Sequence, residues 1–133
     1  MHAVVDGERT LTDLDHARLT KILGQHSSST LSDLLDSVKV TNSRTAPADL
    51  ITMYSRVEVV DVHTHRRQVL TLCYPGDAEP VAGFISVLSP VGSSLLGLKA
   101  GEVARWHTPN GDECAAEVVA VQYQPEASGD YTR

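Results

Sequence analysis

The stretch that decides the fold is SVLSPVGSSLLGLKAGE, residues 86–102. Its first residues are apolar or β-branched and predict the end of a strand. Ser89-Pro90 predicts the start of a short helix, because the N–H that proline lacks would have no partner in the first turn. Gly97 and Gly101 favour tight turns, since glycine adopts positive φ without a steric clash. The stretch therefore predicts a strand, a short helix and a second strand that begins near Glu102.

Composition and length indicate an ordinary globular chain. The sequence has 133 residues, of which 41% are hydrophobic and 21% charged, which suits one domain or one small domain with an appendage. No run of about 18 apolar residues predicts a membrane span, and no basic segment followed by an apolar one predicts a secretion signal. We therefore expect a cytoplasmic protein with no membrane partner. Cys73 and Cys114 lie in apolar runs and are expected to be free thiols.

The charge balance argues against nucleic acid as a direct partner. The formal net charge is −6, and acidic residues outnumber basic ones in both halves of the chain. Neither half offers the basic face that displaces counterions from a phosphate backbone. A protein is the more plausible partner.

Two helices are predicted near the N-terminus. The first lies between a threonine cap, Thr10 or Thr12, and Gly24. The second begins at Thr30 with Asp33 at the third helical position of a capping box. Their apolar stripes consist of Leu11, Leu14, Leu19, Ile22 and Leu23 in the first helix and Leu31, Leu34, Leu35 and Val38 in the second. We expect an antiparallel hairpin, a short coiled coil over residues 1–47, whose stripes pair with each other and which is dispensable for folding of the rest.

The remainder of the chain, residues 48–133, has the pattern of strands. Strands are predicted over residues 51–62, 68–74, 85–88, 103–107 and 115–124. Asn110-Gly111 predicts a tight hairpin turn, and the long last strand is expected to lie inside the sheet. The fold class is therefore α+β, with a helical hairpin followed by a small antiparallel sheet that carries one short helix.

Residue types that could carry chemistry do not form a catalytic or metal-binding pattern. His63 and His65 are two residues apart, but they lie in a predicted turn beside two arginines that would repel a cation. The serines near residue 90 lack the surroundings of an activated nucleophile. Asp33 and Asp36 are one helical turn apart, and Asp33 is better explained by capping. We predict no catalytic residue, no metal and no cofactor.

A resemblance to a known family gives the opening stretch a meaning. Residues 85–92, ISVLSPVG, and 95–102, LLGLKAGE, resemble the signature of the C-terminal domain of the Gre transcript-cleavage factors. The resemblance is closer still to the Rnk family, the regulators of nucleoside diphosphate kinase. It includes Met53-x-Ser55-x-Val57, Tyr74-Pro75 and the motif YQPEAxGDY at residues 123–131. The resemblance implies a half-barrel like that of FK506-binding proteins, whose concave side is covered by the short helix.

The resemblance also implies binding to RNA polymerase at its secondary channel. The residues expected to dock are Pro90, Val91, Ser93, Ser94 and Lys99, with Leu95 and Leu96 facing the core. The hairpin tip, which would point into the channel, consists of Gln25, His26, Ser27, Ser28 and Ser29, with Asp33 on the following turn. Unlike the tip of a Gre factor, the loop carries no carboxylate, and arms of some 10 to 14 residues reach about 15–21 Å. We therefore expect a regulator that competes with Gre-like factors without stimulating transcript cleavage.

One alternative belongs to a different functional class. An FK506-binding-protein-like fold allows a prolyl isomerase or a peptide-binding module. The chain has one phenylalanine, one tryptophan and four tyrosines, which is little material for an aromatic proline pocket. Any effect on a nucleotide kinase is expected to be indirect, through transcription.

Overall fold

A curled five-stranded sheet is the centre of the molecule, with two helices N-terminal to it and one short helix packed against it. The computed structural model describes residues 9–24, 29–108, 110–127 and 129, without the side chains of residues 29–31 and 37. In chain order the elements are β1 (Thr10–Thr12), α1 (Asp13–Leu23), α2 (Ser29–Ser37), β2 (Lys39–Thr41), β3 (Arg56–Asp61), β4 (Arg67–Cys73), β5 (Phe84–Ser86), α3 (Pro90–Leu95), β6 (Val103–His107) and β7 (Glu113–Tyr123). No helix among these residues is long and apolar enough to cross a membrane.

The strands of the large sheet follow the order β5-β4-β3-β7-β6. β3 lies in the middle, and its Val57 is opposite Leu70 of β4 and Val121 of β7. Two register shifts interrupt the β3–β7 pairing, and such bulges increase the local twist and bend a sheet. The long strand β7 pairs with both β3 and β6, which confirms its predicted interior position. The α+β class is likewise confirmed.

One strand pair runs in the opposite sense to the prediction of an antiparallel sheet. β5 pairs with β4 in parallel, with Leu72 opposite Ile85. Between the two strands the chain makes two short 3₁₀ turns, Pro75–Asp77 and Pro80–Ala82, and Gly83 then adopts φ 89°. These turns return the chain to the edge of β4 in the same direction, so the expectation was wrong for this pair.

A second sheet, of two strands, lies within the N-terminal segment. β1 and β2 pair in parallel, with Leu11 opposite Val40. Leu11 therefore lies in a strand and not in the first helix, which begins at Asp13 after Thr12. The Thr12 Oγ1 accepts a hydrogen bond from the backbone N–H of Asp15 at 3.1 Å, so the predicted threonine cap is confirmed. Three-residue strands show too few alternations to be recognised in a sequence.

The hydrophobic core is shared between the N-terminal segment and the large sheet. Leu11, Leu19 and Leu34 are fully buried in the same cluster as Val57, Leu72, Leu96 and Val118. The expectation that the helical stripes pair only with each other is therefore wrong. The two helices do contact each other, since the His16 Nε2 lies 3.3 Å from the backbone oxygen of Leu35. The division of the chain at residue 47 and the projecting hairpin stay predictions, as does the likeness to FK506-binding proteins.

Candidate functional site

The start of α3 is built by hydrogen bonds between neighbouring residues. The Ser89 Oγ accepts from the backbone N–H of Gly92 at 3.0 Å and donates to the backbone oxygen of Ser86 at 2.7 Å. Pro90 occupies the first helical position, where its missing N–H costs nothing. The predicted helix start at Ser89-Pro90 is confirmed, and its backbone is held on the end of β5.

Two glycines allow this segment to lie close to the rest of the molecule. A Cβ at position 92 would lie 2.0 Å from the backbone oxygen of Ser86, so only glycine fits there. Gly97 has φ 83°, donates to the backbone oxygen of Ile51 at 3.0 Å and accepts from Thr10 at 3.2 Å. Positive φ at Gly97 and Gly101 confirms the predicted turns. The segment is thus connected both to the linker before β3 and to the first strand.

The five residues predicted to dock do not all reach the surface. Pro90 and Val91 are half-buried and Lys99 is exposed, whereas Ser93 is 3% and Ser94 0% exposed. The Ser93 Oγ donates to the backbone oxygen of Ser89 at 2.9 Å, and the Ser94 Oγ donates to that of Val91 at 2.6 Å. These bonds satisfy the hydroxyls inside the protein. The expectation that Ser93 and Ser94 are surface contacts is therefore wrong.

Leu95 and Leu96 behave as the sequence predicts. Leu95 is 2% and Leu96 0% exposed, and both belong to the central core. Of the predicted docking set, Pro90, Val91 and Lys99 therefore form the accessible part. We call these three residues the α3 surface, and their role in docking stays a prediction.

Arg9 is a positioning residue that the sequence did not reveal. It is only 3% exposed, and its Nη1 donates to the backbone oxygens of Ser93 at 2.8 Å and Leu96 at 3.3 Å. The last carbonyls of a helix have no partner inside the helix, and a cation is favourable at that end. Arg9, which directly precedes β1, thus holds the C-terminal end of α3.

Asp15 provides a second buried polar connection. Its Oδ2 accepts from the backbone N–H of Met53 at 3.0 Å, and the residue is 2% exposed. Burial raises the pKa of the Asp15 carboxyl to about 7, because desolvation outweighs the hydrogen bond from Met53, and the nearby Glu126 adds to the rise. The sequence alone predicts that Asp15, three residues after Thr12, completes a capping box. A hydrogen bond to a residue 38 positions away cannot be predicted from the residues next to Asp15 in the sequence.

The predicted hairpin tip is described only in part. Gln25, His26, Ser27 and Ser28 lie outside the described residues, and Ser29 is the first residue of α2, with its side chain outside the description. Asp33 is exposed on α2. The helices on either side of the tip have 11 and 9 residues.

A cavity of about 360 Å³ opens between the concave face of the sheet and α3. Its apolar wall consists of Val59, Leu70, Val91, Leu95, Trp106 and Ala116, and its polar mouth of Asp61, Thr64, Arg66, Arg67 and Gln68. We call it the concave cavity. Among the described residues Trp106 is the only aromatic one that lines it, so the hypothesis of an aromatic proline pocket gains little from its composition.

The turn between β3 and β4 contains the two histidines considered as metal ligands. Both are exposed, and His65 has φ 61°. The Asp61 Oδ1 accepts from the backbone N–H groups of His63 at 2.8 Å and Thr64 at 2.9 Å, and these bonds lower the pKa of the Asp61 carboxyl. Within the described part of the chain no three histidine, cysteine or acidic side chains are grouped to hold a metal. Both cysteines are free.

Comparison with known proteins begins with a family model. The model described as "Transcription elongation factor, GreA/GreB, C-term" matches residues 46–123. This range contains the whole large sheet, α3 and the concave cavity. The α3 surface therefore lies within the matched domain.

Individual relatives extend the likeness to the N-terminal segment. The chain is 35% identical over 127 residues to "Regulator of nucleoside diphosphate kinase" of Escherichia coli strain K12, which covers 91% of this chain and 93% of the relative. It is 40% identical over 75 residues to "Transcription elongation factor GreA" of Solidesulfovibrio magneticus, which covers 56% of this chain and 45% of that protein.

A solved structure supports the same assignment. "Prokaryotic transcription elongation factor GreA/GreB from Nitrosomonas europaea" superposes with a TM-score of 0.74 at 32% identity, covering 89% of this chain and 100% of the other. The curled half-barrel sheet is thus a GreA/GreB-like fold. With most of both chains matched at this identity, the chain belongs to the Rnk family of regulators of nucleoside diphosphate kinase, with a C-terminal domain of the GreA/GreB type.

Proposed function

We propose that this chain is a cytoplasmic regulator of transcription elongation that binds RNA polymerase at its secondary channel and is not an enzyme. The observation that carries the proposal is the match of residues 46–123 to the GreA/GreB C-terminal model. The relatives are named as elongation factors and as a regulator, which are not names of catalysts.

The α3 surface is the contact that we propose for the polymerase. Val91 offers an apolar patch and Lys99 an exposed cation in a chain of net charge −6. The backbone beneath is held by the Ser89 cap and by the close approach of Gly92. A surface that is already ordered loses little conformational entropy when it binds.

The helical segment would enter the channel without supplying catalytic carboxylates. Helices of 11 and 9 residues reach roughly 16 Å and 13 Å at about 1.5 Å per residue. Two-metal phosphodiester hydrolysis needs carboxylate oxygens around the second magnesium ion, and the sequence between Gly24 and Ser29 contains none. We propose that the protein occupies the channel, competes with Gre-like factors and does not stimulate cleavage of backtracked RNA.

The test uses core RNA polymerase and a backtracked elongation complex. We expect the full-length protein to bind the polymerase, to produce no new cleavage product alone, and to inhibit cleavage by a Gre factor in a dose-dependent way. Lys99→Glu should weaken binding, whereas Lys39→Glu, an exposed lysine on β2, serves as the matched control. Absence of binding would refute the proposal. Cleavage that is lost in Asp33→Asn would instead identify a true cleavage factor.

The prolyl isomerase alternative has a separate test. A chromogenic proline-peptide assay should show no acceleration of isomerisation by this protein. Measurable catalysis would favour the alternative. We further propose that an effect on a nucleoside diphosphate kinase, which the name of the relative in E. coli implies for that protein, arises here through transcription.

A further inference from the structure

The concave cavity contains groups that the proposed polymerase contact does not use. Of its lining residues only Val91 belongs to the α3 surface. The volume of about 360 Å³ lies at the low end of the range for ligand pockets, roughly 300–1,000 Å³. A water molecule occupies about 30 Å³ in the liquid, so the cavity has room for one large apolar side chain and the backbone next to it.

The walls and the mouth of the cavity differ in chemistry. The wall is formed by aliphatic side chains of β3, β4, β7 and α3 together with Trp106 of β6. Burying an apolar side chain against such a wall is favourable by about 25 cal/mol for each Å² removed from water. The mouth consists of polar and charged residues from the end of β3, the following turn and the start of β4.

One guanidinium at the mouth makes no ion pair with any residue that the structure describes. The Arg67 Nη1 lies 2.5 Å from the Glu58 Oε2, so this cation is paired. The Asp61 carboxylate accepts hydrogen bonds from the backbone N–H groups of His63 and Thr64 and forms no ion pair with Arg66. Within the described part of the chain, the guanidinium of Arg66 has no carboxylate partner. The mouth therefore presents an unpaired guanidinium, suited to a carboxylate, beside an apolar interior.

We propose that the concave cavity binds an apolar side chain of a protein partner that carries an acidic residue next to it. The apolar side chain enters between Val59, Leu70 and Trp106, and the carboxylate pairs with Arg66. A guanidinium binds a carboxylate through two parallel hydrogen bonds, which fixes orientation as well as adding affinity. This inference goes beyond the proposed function, because it does not depend on the partner being RNA polymerase.

Trp106 makes the proposal directly measurable. It is the single tryptophan of the chain and lines the cavity, so its fluorescence reports occupancy in the free, full-length protein. The probe is the peptide acetyl-Glu-Leu-Glu-amide, with acetyl-Lys-Leu-Lys-amide and acetyl-Glu-Ser-Glu-amide as controls. We expect a saturable change of Trp106 emission with the first peptide and binding at least about tenfold weaker for each control, since one lacks the charge and the other the apolar group.

Two arginine variants distinguish a specific effect of Arg66 at the mouth of the cavity from a general effect of charge on binding. Arg66→Glu should weaken binding of the acidic peptide at least about tenfold. Arg105→Glu is the matched control, because Arg105 is exposed and next to Trp106 on β6 but is directed to the other face of the strand. Its binding should stay within about twofold of the unaltered protein. Amide NMR shifts on titration should be confined to the cavity, in Val59, Gln68 and Leu70.

Several results would overturn the proposal. These are the absence of a saturable change, equal binding of the lysine peptide, or equal effects of Arg66→Glu and Arg105→Glu. Binding of free 4-methylpentanoate as tightly as the peptide would assign the cavity to a small apolar acid instead. None of these readouts contains RNA polymerase, so their failure is distinguishable from failure of the proposed function.

Discussion

The α3 segment, residues 86–101, and the N-terminal segment, residues 9–38, both contribute to the common core but are held in place in different ways. The start of the first is fixed by residues close in sequence, since Ser89 bonds to Ser86 and Gly92. The second is fixed by buried polar groups that bond distant residues, since Asp15 reaches Met53 and Arg9 reaches Ser93. Both kinds of bond hold a segment in place, but only bonds between sequence neighbours can be predicted from the sequence.

The largest effect is expected from the close approach in the α3 segment. Gly92→Ala should lower the free energy of unfolding by about 4 kcal/mol or more, because the added methyl group meets backbone and not a movable side chain. Gly76→Ala is the matched control, since a Cβ there meets nothing within 4 Å. Chemical denaturation measures both. Similar values for the two variants would show that the close approach does not hold the segment.

The second prediction tests whether the N-terminal segment folds with the sheet. Leu19→Ala and Leu96→Ala remove fully buried side chains and should each cost about 2–5 kcal/mol. Because both residues belong to one core, each variant should shift a single thermal transition. Because the core is shared, we now expect, contrary to the prediction from sequence that residues 1–47 are dispensable, that a chain beginning at Ala48 loses its cooperative transition.

The control for this prediction is Val81→Ala, at a fully exposed valine, which should change stability by less than about 0.5 kcal/mol. An independent helical segment would give a different result. A second transition would then remain unchanged in Leu19→Ala, and the chain that begins at Ala48 would melt cooperatively.

The smallest effect depends on pH and concerns the buried carboxyl of the N-terminal segment. The pKa of Asp15 is about 7 in the folded protein and 3.8 in its ordinary state, so the folded state binds the proton more tightly. The stability from this group is therefore fully present below pH 4 and is lost as the pH rises through 7. The expected loss is on the order of 2 kcal/mol between pH 5 and pH 8.

Asp15→Asn should flatten this dependence, because an amide keeps an acceptor for Met53 without titrating. Asp36→Asn, at an exposed position of α2, should leave it unchanged. Thermal melting at a series of pH values provides the measurement. An identical pH profile for Asp15→Asn and the unaltered protein would show that Asp15 does not control it.

The comparison also explains which parts of the fold were predictable. The helix start at Ser89-Pro90 and the turn at Gly97 are local rules of backbone geometry, and both are present in the structure. The parallel pairing of β5 depends on the direction in which two 3₁₀ turns lead the chain. The pattern of apolar residues in the sequence does not predict this direction. The buried bonds of Arg9 and Asp15 could not be predicted, because their partners are far away in sequence.

The candidate site shows the same limit. Leu95 and Leu96 were placed in the core from their apolar character. Ser93 and Ser94 were expected on the surface because the core face of the helix was assigned to Leu95 and Leu96. Their hydroxyls instead bond to carbonyls of the preceding turn. The concave cavity combines residues from four strands and one helix, and no stretch of sequence indicates such a combination.

The bonds of Arg9 have a consequence for the order of folding during synthesis. Its partners Ser93 and Leu96 follow it by 84 and 87 residues. At roughly 5–20 residues per second, the ribosome adds this length in about 4–17 s. During this interval the first strand and the helices after it lack the contacts that later hold them. The N-terminal half of the nascent chain therefore reaches its final packing only after the second half has been synthesised.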